Sequence, residues 1–127
     1  LAKIVIIEDS KSLGAALKGA LEIKGHEVFW VNDGRAALPA VKRNKPDIIL
    51  LDLMLPHISG FEICKAIKTD NAIWRTPVVI MSTLTSPEQK ERAAEAGADH
   101  FIGKPYDLRE TLAEISAYIP KPKGAQK

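Results

Sequence analysis

The sequence predicts a doubly wound α/β domain in which strand and helix alternate five times, (βα)5, around one parallel five-stranded sheet. Three observations carry that prediction. Short apolar runs recur along the chain, each too short for a helix; helical patterns stand between them; and several helix starts carry capping residues. Alternation of this kind places helices on both faces of a parallel sheet, joined by right-handed crossovers.

The elements follow in order. Ile4 to Ile7 is an unbroken apolar run and reads as a strand buried on both faces. Lys11 to Lys24 is a helix with Leu13, Leu17, Ala20 and Leu21 as its apolar stripe, and Gly25 supplies the stop. Val28 to Val31, with Phe29 and Trp30 inside it, is bounded by Gly25 and by Asn32-Asp33-Gly34 and forms the second strand. A second helix over about Gly34 to Arg43 contains Pro39, which should kink or shorten it. Ile48 to Leu51, Val78 to Met81, and Phe101 with Ile102 are the remaining strands, again expected to be buried on both faces. The remaining helices start at Ser59 with Glu62, Ser86 with Gln89, and Asp107 with Glu110. In each pair the cap oxygen and the Glu or Gln three residues on can satisfy orphan amides reciprocally. Pro87 falls at the first helical position, where its missing N–H costs nothing. Ile119-Pro120 closes the domain, so residues 1–119 form the fold and 120–127, rich in Pro and Lys, form a tail or the start of a linker.

Composition agrees with one domain of ordinary globular type: 127 residues, 46% hydrophobic and 27% charged. A chain of this size buries roughly two thirds of its unfolded surface and needs no disulfide or structural metal. Cys64 is alone, and His26, His57 and His100 are scattered, so a Cys-rich zinc site is excluded. Eighteen basic against sixteen acidic side chains leave a formal charge of +2, which argues for neither nucleic-acid nor anionic-membrane binding. No apolar run approaches the roughly 18 residues of a membrane span, and the N-terminus lacks the order of a signal peptide. The cytoplasm is the expected compartment. A start at Leu1 rather than Met suggests a piece of a longer protein.

Four strands end at their carboxyl edge in polar residues: Glu8-Asp9, Asp52, Ser82-Thr83 and Lys104. In an open α/β sheet those edges line the ligand crevice. Asp52 is the sharpest feature, one carboxylate between Ile48-Ile49-Leu50-Leu51 and Leu53-Met54-Leu55, and so placed it is costly unless neutralised. If the first and third strands are neighbours, Glu8, Asp9 and Asp52 meet in one pocket with only Lys104 to offset them. That deficit calls for a divalent cation, and oxygen ligands suit Mg²⁺ or Mn²⁺ better than zinc. A carboxylate nucleophile, a metal, an ammonium and a hydroxyl donor are the parts phosphoryl transfer needs, here by way of an aspartyl phosphate on Asp52.

The ordered set of Glu8-Asp9, Asp52 followed by Leu55-Pro56 and Gly60, Ser82, Ala96-Gly97-Ala98-Asp99 and Lys104-Pro105 resembles the receiver domain of two-component response regulators over about Lys3 to Ile119. The resemblance implies a CheY-like, flavodoxin-like sheet of order 2-1-3-4-5. It makes Asp52 the phosphoacceptor, served by a histidine kinase or a histidine phosphotransfer protein. Mg²⁺ would be held by Asp9, Asp52 and the backbone carbonyl of Met54, with Glu8 acting partly through water. Lys104 would pair with the phosphoryl group, the Lys104-Pro105 bond would be cis and aim the ammonium into the pocket, and Ser82 would move to hydrogen-bond the phosphate. Phe101, three residues before the lysine, stands at the place of the family's rotameric switch aromatic, and the moving surface would be the fourth helix, fifth strand and fifth helix. Met54 and Leu84 occupy the variable positions that tune dephosphorylation; both are apolar and cannot position a water. Thr83 stands where the family usually has a small residue, and its bulk is expected to restrict access. The implied protein is a signalling domain with intrinsic autodephosphorylation rather than a turnover enzyme. It would act on a downstream protein or an attached output domain, as a monomer or a weak phosphorylation-dependent dimer.

Other readings fare less well. A phosphatase of the haloacid-dehalogenase class carries a second aspartate two residues after the first, where this chain has Met54. A degenerate receiver serving only as a binding platform should have lost a pocket residue, and none is lost. The dimer of many DNA-binding members needs an acidic fifth strand against basic helices; His100 follows Asp99 here, and Glu110 and Glu114 outnumber Arg109 on the last helix. His57 is expected to be solvated, Trp30 and Trp74 to be packing residues, and Cys64 to be half-buried without redox duty.

Overall fold

The computed structural model describes residues 1–120, so the tail beyond Pro120 lies outside the described residues. Its elements are β1 (Lys3–Ile7), α1 (Lys11–Ile23), β2 (Glu27–Val31), a 3-10 turn (Gly34–Ala36), α2 (Ala37–Asn44), β3 (Ile48–Leu51), α3 (Gly60–Lys68), β4 (Val78–Ser82), α4 (Pro87–Glu95), β5 (His100–Gly103) and α5 (Leu108–Tyr118). The five strands are parallel in the order β2-β1-β3-β4-β5. No helix among the described residues is long and apolar enough to cross a membrane.

Period-two alternation sorts the strand residues into two cores. Val5, Ile7, Ile49, Leu51, Val78 and Ile80 face α2, α3 and α4, where Val41, Ile63, Cys64, Ile67 and Ala93 meet them. Ile4, Ile6, Ile48, Leu50, Val79 and Met81 face α1 and α5, against Leu17, Leu21 and Ile115. β3 and β4 are buried throughout, whereas β5 is an edge strand with only Ile102 fully buried, which corrects the expectation of burial on both faces there.

Local departures from the sequence reading have physical causes. Pro39 does shorten the second helix: the chain first makes a 3-10 turn capped by Asp33, whose carboxylate accepts from Arg35 N at 2.8 Å, and α2 begins only at Ala37. Pro39 then sits in the first helical turn, where no intrahelical acceptor awaits an N–H. Ser86 and Asp107 accept from the amides three residues on, while Ser59 accepts from Phe61 N; the return bonds from Glu62, Gln89 and Glu110 are not made among the described residues. In α1 the buried residues are Gly14, Leu17 and Leu21, with Leu13 and Ala20 only half-buried. Cys64 is fully buried rather than half-buried. Trp74 is 45% exposed and lies under the Arg75 guanidinium, so it is not a core residue.

At the amino edge of the sheet, one ammonium joins several loops. Lys68 Nζ donates to the carbonyls of Trp74 (3.2 Å) and Thr76 (2.8 Å) and lies 2.8 Å from Asp99 Oδ2, which also accepts from Val78 N at 2.8 Å. Gly97, at φ +101, packs against the Lys68 side chain.

Candidate functional site

Strand register builds the site. Ile7 of β1 stands opposite Leu51 of β3, and Asp52 N continues the ladder by donating to Ile7 O at 2.9 Å. The residues just past each strand, Glu8-Asp9 and Asp52, therefore emerge side by side. On the other flank Ser82 pairs with Gly103, and Lys104 N donates to Ser82 O at 2.8 Å, which brings the lysine to the same edge.

Glu8 and Asp52 are each only 6% exposed, while Asp9 is open to solvent. One carboxylate oxygen from each of the three lies within 4.8 Å of the others. Lys104 Nζ lies 2.5 Å from Glu8 Oε1 and 3.4 Å from Asp52 Oδ2. The second oxygens are held by backbone amides: Ser10 N donates to Glu8 Oε2 and Met54 N to Asp52 Oδ1, both at 3.1 Å. Three carboxylates against one ammonium leave a negative surplus, and burial makes it expensive. Burial lifts the Glu8 carboxyl above its ordinary value, against the opposing hydrogen bond from Lys104. Burial alone would lower Lys104, but the bond to Glu8 and the charges of Asp52 and Glu8 outweigh it and hold the ammonium above its ordinary value. A clustered, hard, all-oxygen donor set with net negative charge fits a small divalent cation.

Ser82 and Thr83 stand at the same sheet edge as this cluster. Ser82 is fully buried and its Oγ accepts from Leu84 N at 3.1 Å. Thr83 Oγ1 reaches Met54 Sδ at 3.5 Å, and both residues are exposed. The Lys104-Pro105 peptide bond is cis. Phe101 is half-buried against the α3/α4 core, and Lys90 Nζ lies 5.9 Å above its ring. An open cleft of about 630 Å³ runs from Asp9 past Met54, Leu55, Pro56 and His57. His57 is exposed at φ +73. A separate cavity between α1 and α5, about 290 Å³ and lined by Leu21, Lys24, His26, Arg109 and Ile115 among others, includes none of these carboxylates.

Two supporting residues escaped the sequence reading in this role. Trp30 Nε1 donates to the backbone carbonyl of Glu8 at 2.8 Å, a contact between β2 and the end of β1 with no local signature. Gly60 packs against the Asp52-Leu53 backbone: a Cβ there would stand 2.5 Å from Leu53 Cα and nearer still to the Asp52 carbonyl oxygen. Its spacing after Asp52 was visible, but not the contact that demands glycine.

A family model described as the response regulator receiver domain matches residues 4–116. The chain is 37% identical over 119 residues to response regulator ArlR of Staphylococcus saprophyticus, covering 94% of this chain and 53% of that protein. It is 38% identical over 119 residues to sensory transduction protein RegX3 of Mycobacterium tuberculosis, covering 94% and 51%. Among solved structures, chemotaxis response regulator CheY4 of Vibrio cholerae superposes with a TM-score of 0.88 at 30% identity, covering 94% of this chain and 99% of that one. The chain spans about half the length of the curated relatives it matches.

Proposed function

The chain belongs to the response regulator receiver domains of two-component signalling, and from that premise we propose that Asp52 is its phosphoacceptor and that phosphorylation controls the surface formed by α4, β5 and α5. The observation that carries this reading is the buried Asp52 carboxylate, clustered with Glu8 and Asp9 and faced by Lys104 at 3.4 Å. In this reading an Asp52 oxygen attacks the phosphorus of a phosphohistidine donor, on a histidine kinase or a histidine phosphotransfer protein. The phosphorus–nitrogen bond breaks, and the departing imidazole nitrogen takes up a proton. Lys104 balances charge on the phosphoryl oxygens, and the Ser82 hydroxyl donates to one of them. Asp9, Asp52 and the Met54 backbone carbonyl would hold Mg²⁺, with Glu8 acting partly through water; Mn²⁺ suits the same donors. The ion supplies neutralisation of the carboxylates and of the transferring group. Phe101 then reports the state of Ser82 to the outer face, where a downstream protein or an attached output domain responds. The aspartyl phosphate is lost by autodephosphorylation and is not among the shortest-lived, because Met54 and Leu84 offer no hydrogen bond to an attacking water.

The test is incubation with Mg²⁺ and acetyl phosphate beside Asp52→Ala, read as intact mass. The expected result is a gain of one phosphoryl group that EDTA and the substitution both abolish. No gain, with beryllofluoride also without effect on the protein, points instead to a binding platform or to a receiver that takes phosphate only from its own histidine donor, and no gain from a phosphohistidine donor either overturns the reading.

A further inference from the structure

We propose that Trp30 is a positioning residue of the acidic pocket, and that Gly14 of α1 exists in this chain to admit it. The inference rests on the reading of Glu8, Asp9 and Asp52 as a metal and phosphoryl site. Asp9 is the exposed member of that cluster, and among the described residues no hydrogen bond holds its side chain. Its direction is therefore set by the backbone that delivers it, above all by the Glu8–Asp9 peptide plane. Both backbone groups of Glu8 are tied to β2: Glu8 N donates to Val31 O at 3.0 Å, and Glu8 O accepts from Trp30 Nε1 at 2.8 Å. The carbonyl belongs to the peptide that leads into Asp9. The indole N–H thus fixes the plane from which Asp9 leaves the sheet, just where the strand ladder ends; beyond Asp9 the chain is held again by Ser10 N, which donates to Glu8 Oε2 at 3.1 Å.

The indole reaches that carbonyl only by passing over α1. A Cβ on Gly14 would stand 2.7 Å from Trp30 Nε1 and closer still to Cε2 and Cζ2. Glycine inside a helix is a poor choice for stability, and Gly14 is the first of the three buried residues of α1, ahead of Leu17 and Leu21. Side chain and gap are a matched pair: the ring occupies the space the missing methyl leaves.

The first measurement needs no variant. On Mg²⁺ titration of the full chain, followed by NMR, the Trp30 indole N–H resonance is expected to shift and saturate with the same midpoint as the Asp52 and Met54 amides. The indole of Trp74, at the opposite end of the sheet, stays still. The second measurement is Mn²⁺ affinity, read from the free-ion paramagnetic signal. Trp30→Phe keeps an aromatic side chain but removes the pyrrole ring that carries the donor, and Gly14→Ala displaces the indole; each is expected to weaken Mn²⁺ by about three- to tenfold, the range for loss of one hydrogen bond. The double variant should lose little more than the worse single one, because both act through the same bond. A purely structural role would lower thermal stability and leave Mn²⁺ affinity alone. A parent that binds Mn²⁺ with a silent Trp30 resonance, or with unchanged affinity in Trp30→Phe, overturns the inference and leaves the receiver reading intact. A parent that binds neither ion removes the metal reading and this inference together.

Discussion

Alanine at Gly60 and alanine at Gly19 are the same chemical change with opposite expected signs, and the structure supplies the magnitudes. At Gly60 the new methyl would stand 2.5 Å from Leu53 Cα, against a floor of 3.0 Å for real Cβ contacts, so the backbones must part by at least half an ångström. The obstructing atoms are main chain and have no rotamer to change. Overpacking of this kind costs about 1–3 kcal/mol. Parting the backbones also strains the bond from Gly60 N to Leu53 O, now 3.0 Å, worth about 1 kcal/mol. The expected destabilisation is therefore about 2–4 kcal/mol, a large share of the 5–15 kcal/mol typical of a domain. At Gly19, within α1, a Cβ meets nothing within 4 Å, and relief of helical glycine should stabilise by about 0.5–1 kcal/mol. Urea unfolding of both variants beside the parent, compared at a common slope, measures the pair. Because the displaced backbone carries Asp52, Gly60→Ala should also take up phosphoryl more slowly than its folded fraction accounts for. A Gly60→Ala protein within 0.5 kcal/mol of the parent, alongside a Gly19→Ala protein that behaves as expected, would refute the tight approach.

Three further outcomes follow from the same geometry. Burial holds the Glu8 carboxyl above its ordinary value in the fold; a group so raised adds stability below its unfolded value that is lost as pH rises through its folded value. Without divalent ions, the stability difference between parent and Glu8→Gln should thus shift in the parent's favour as pH falls toward the ordinary glutamate value, and parallel pH profiles for the two proteins would contradict this. Cys64 is fully buried and its thiol is pushed up to about 11, leaving on the order of one thiolate in a thousand at pH 8; its labelling by a thiol reagent should track urea-induced opening, and complete labelling of the folded protein within minutes would count against the packing described. The phosphorylated state, lacking a polar group at Met54 or Leu84, should outlast the shortest-lived of its kind, and a half-life of seconds at neutral pH would exclude that.

Much of this architecture is legible in the residues because each strand and helix announces itself locally. The apolar runs, Pro87 behind Ser86, and Asp107 before Glu110 need no knowledge of their neighbours. The pocket is nearly as legible, since four strand ends of a parallel sheet share one edge and their polar residues must meet there. Contacts between elements distant in sequence are less so. Nothing near Trp30 signals that its N–H serves Glu8, and nothing near Gly14 signals an indole. Burial depth is set by the third dimension as well, so Cys64 came out deeper than expected, Trp74 shallower, and β5 half-covered because it has a strand on one side only.

Lys68 bears on how such a small molecule can move at all. An ammonium has three N–H donors, and here each has a partner: one carbonyl at Trp74, one at Thr76 and the Asp99 carboxylate. The end of α3, the loop into β4 and the turn into β5 are pinned to a single atom, like pages bound at one spine. The opposite edge, where Asp52, Ser82 and Lys104 stand, has its own ammonium at the centre, so the two ends of the sheet are each gathered on one lysine.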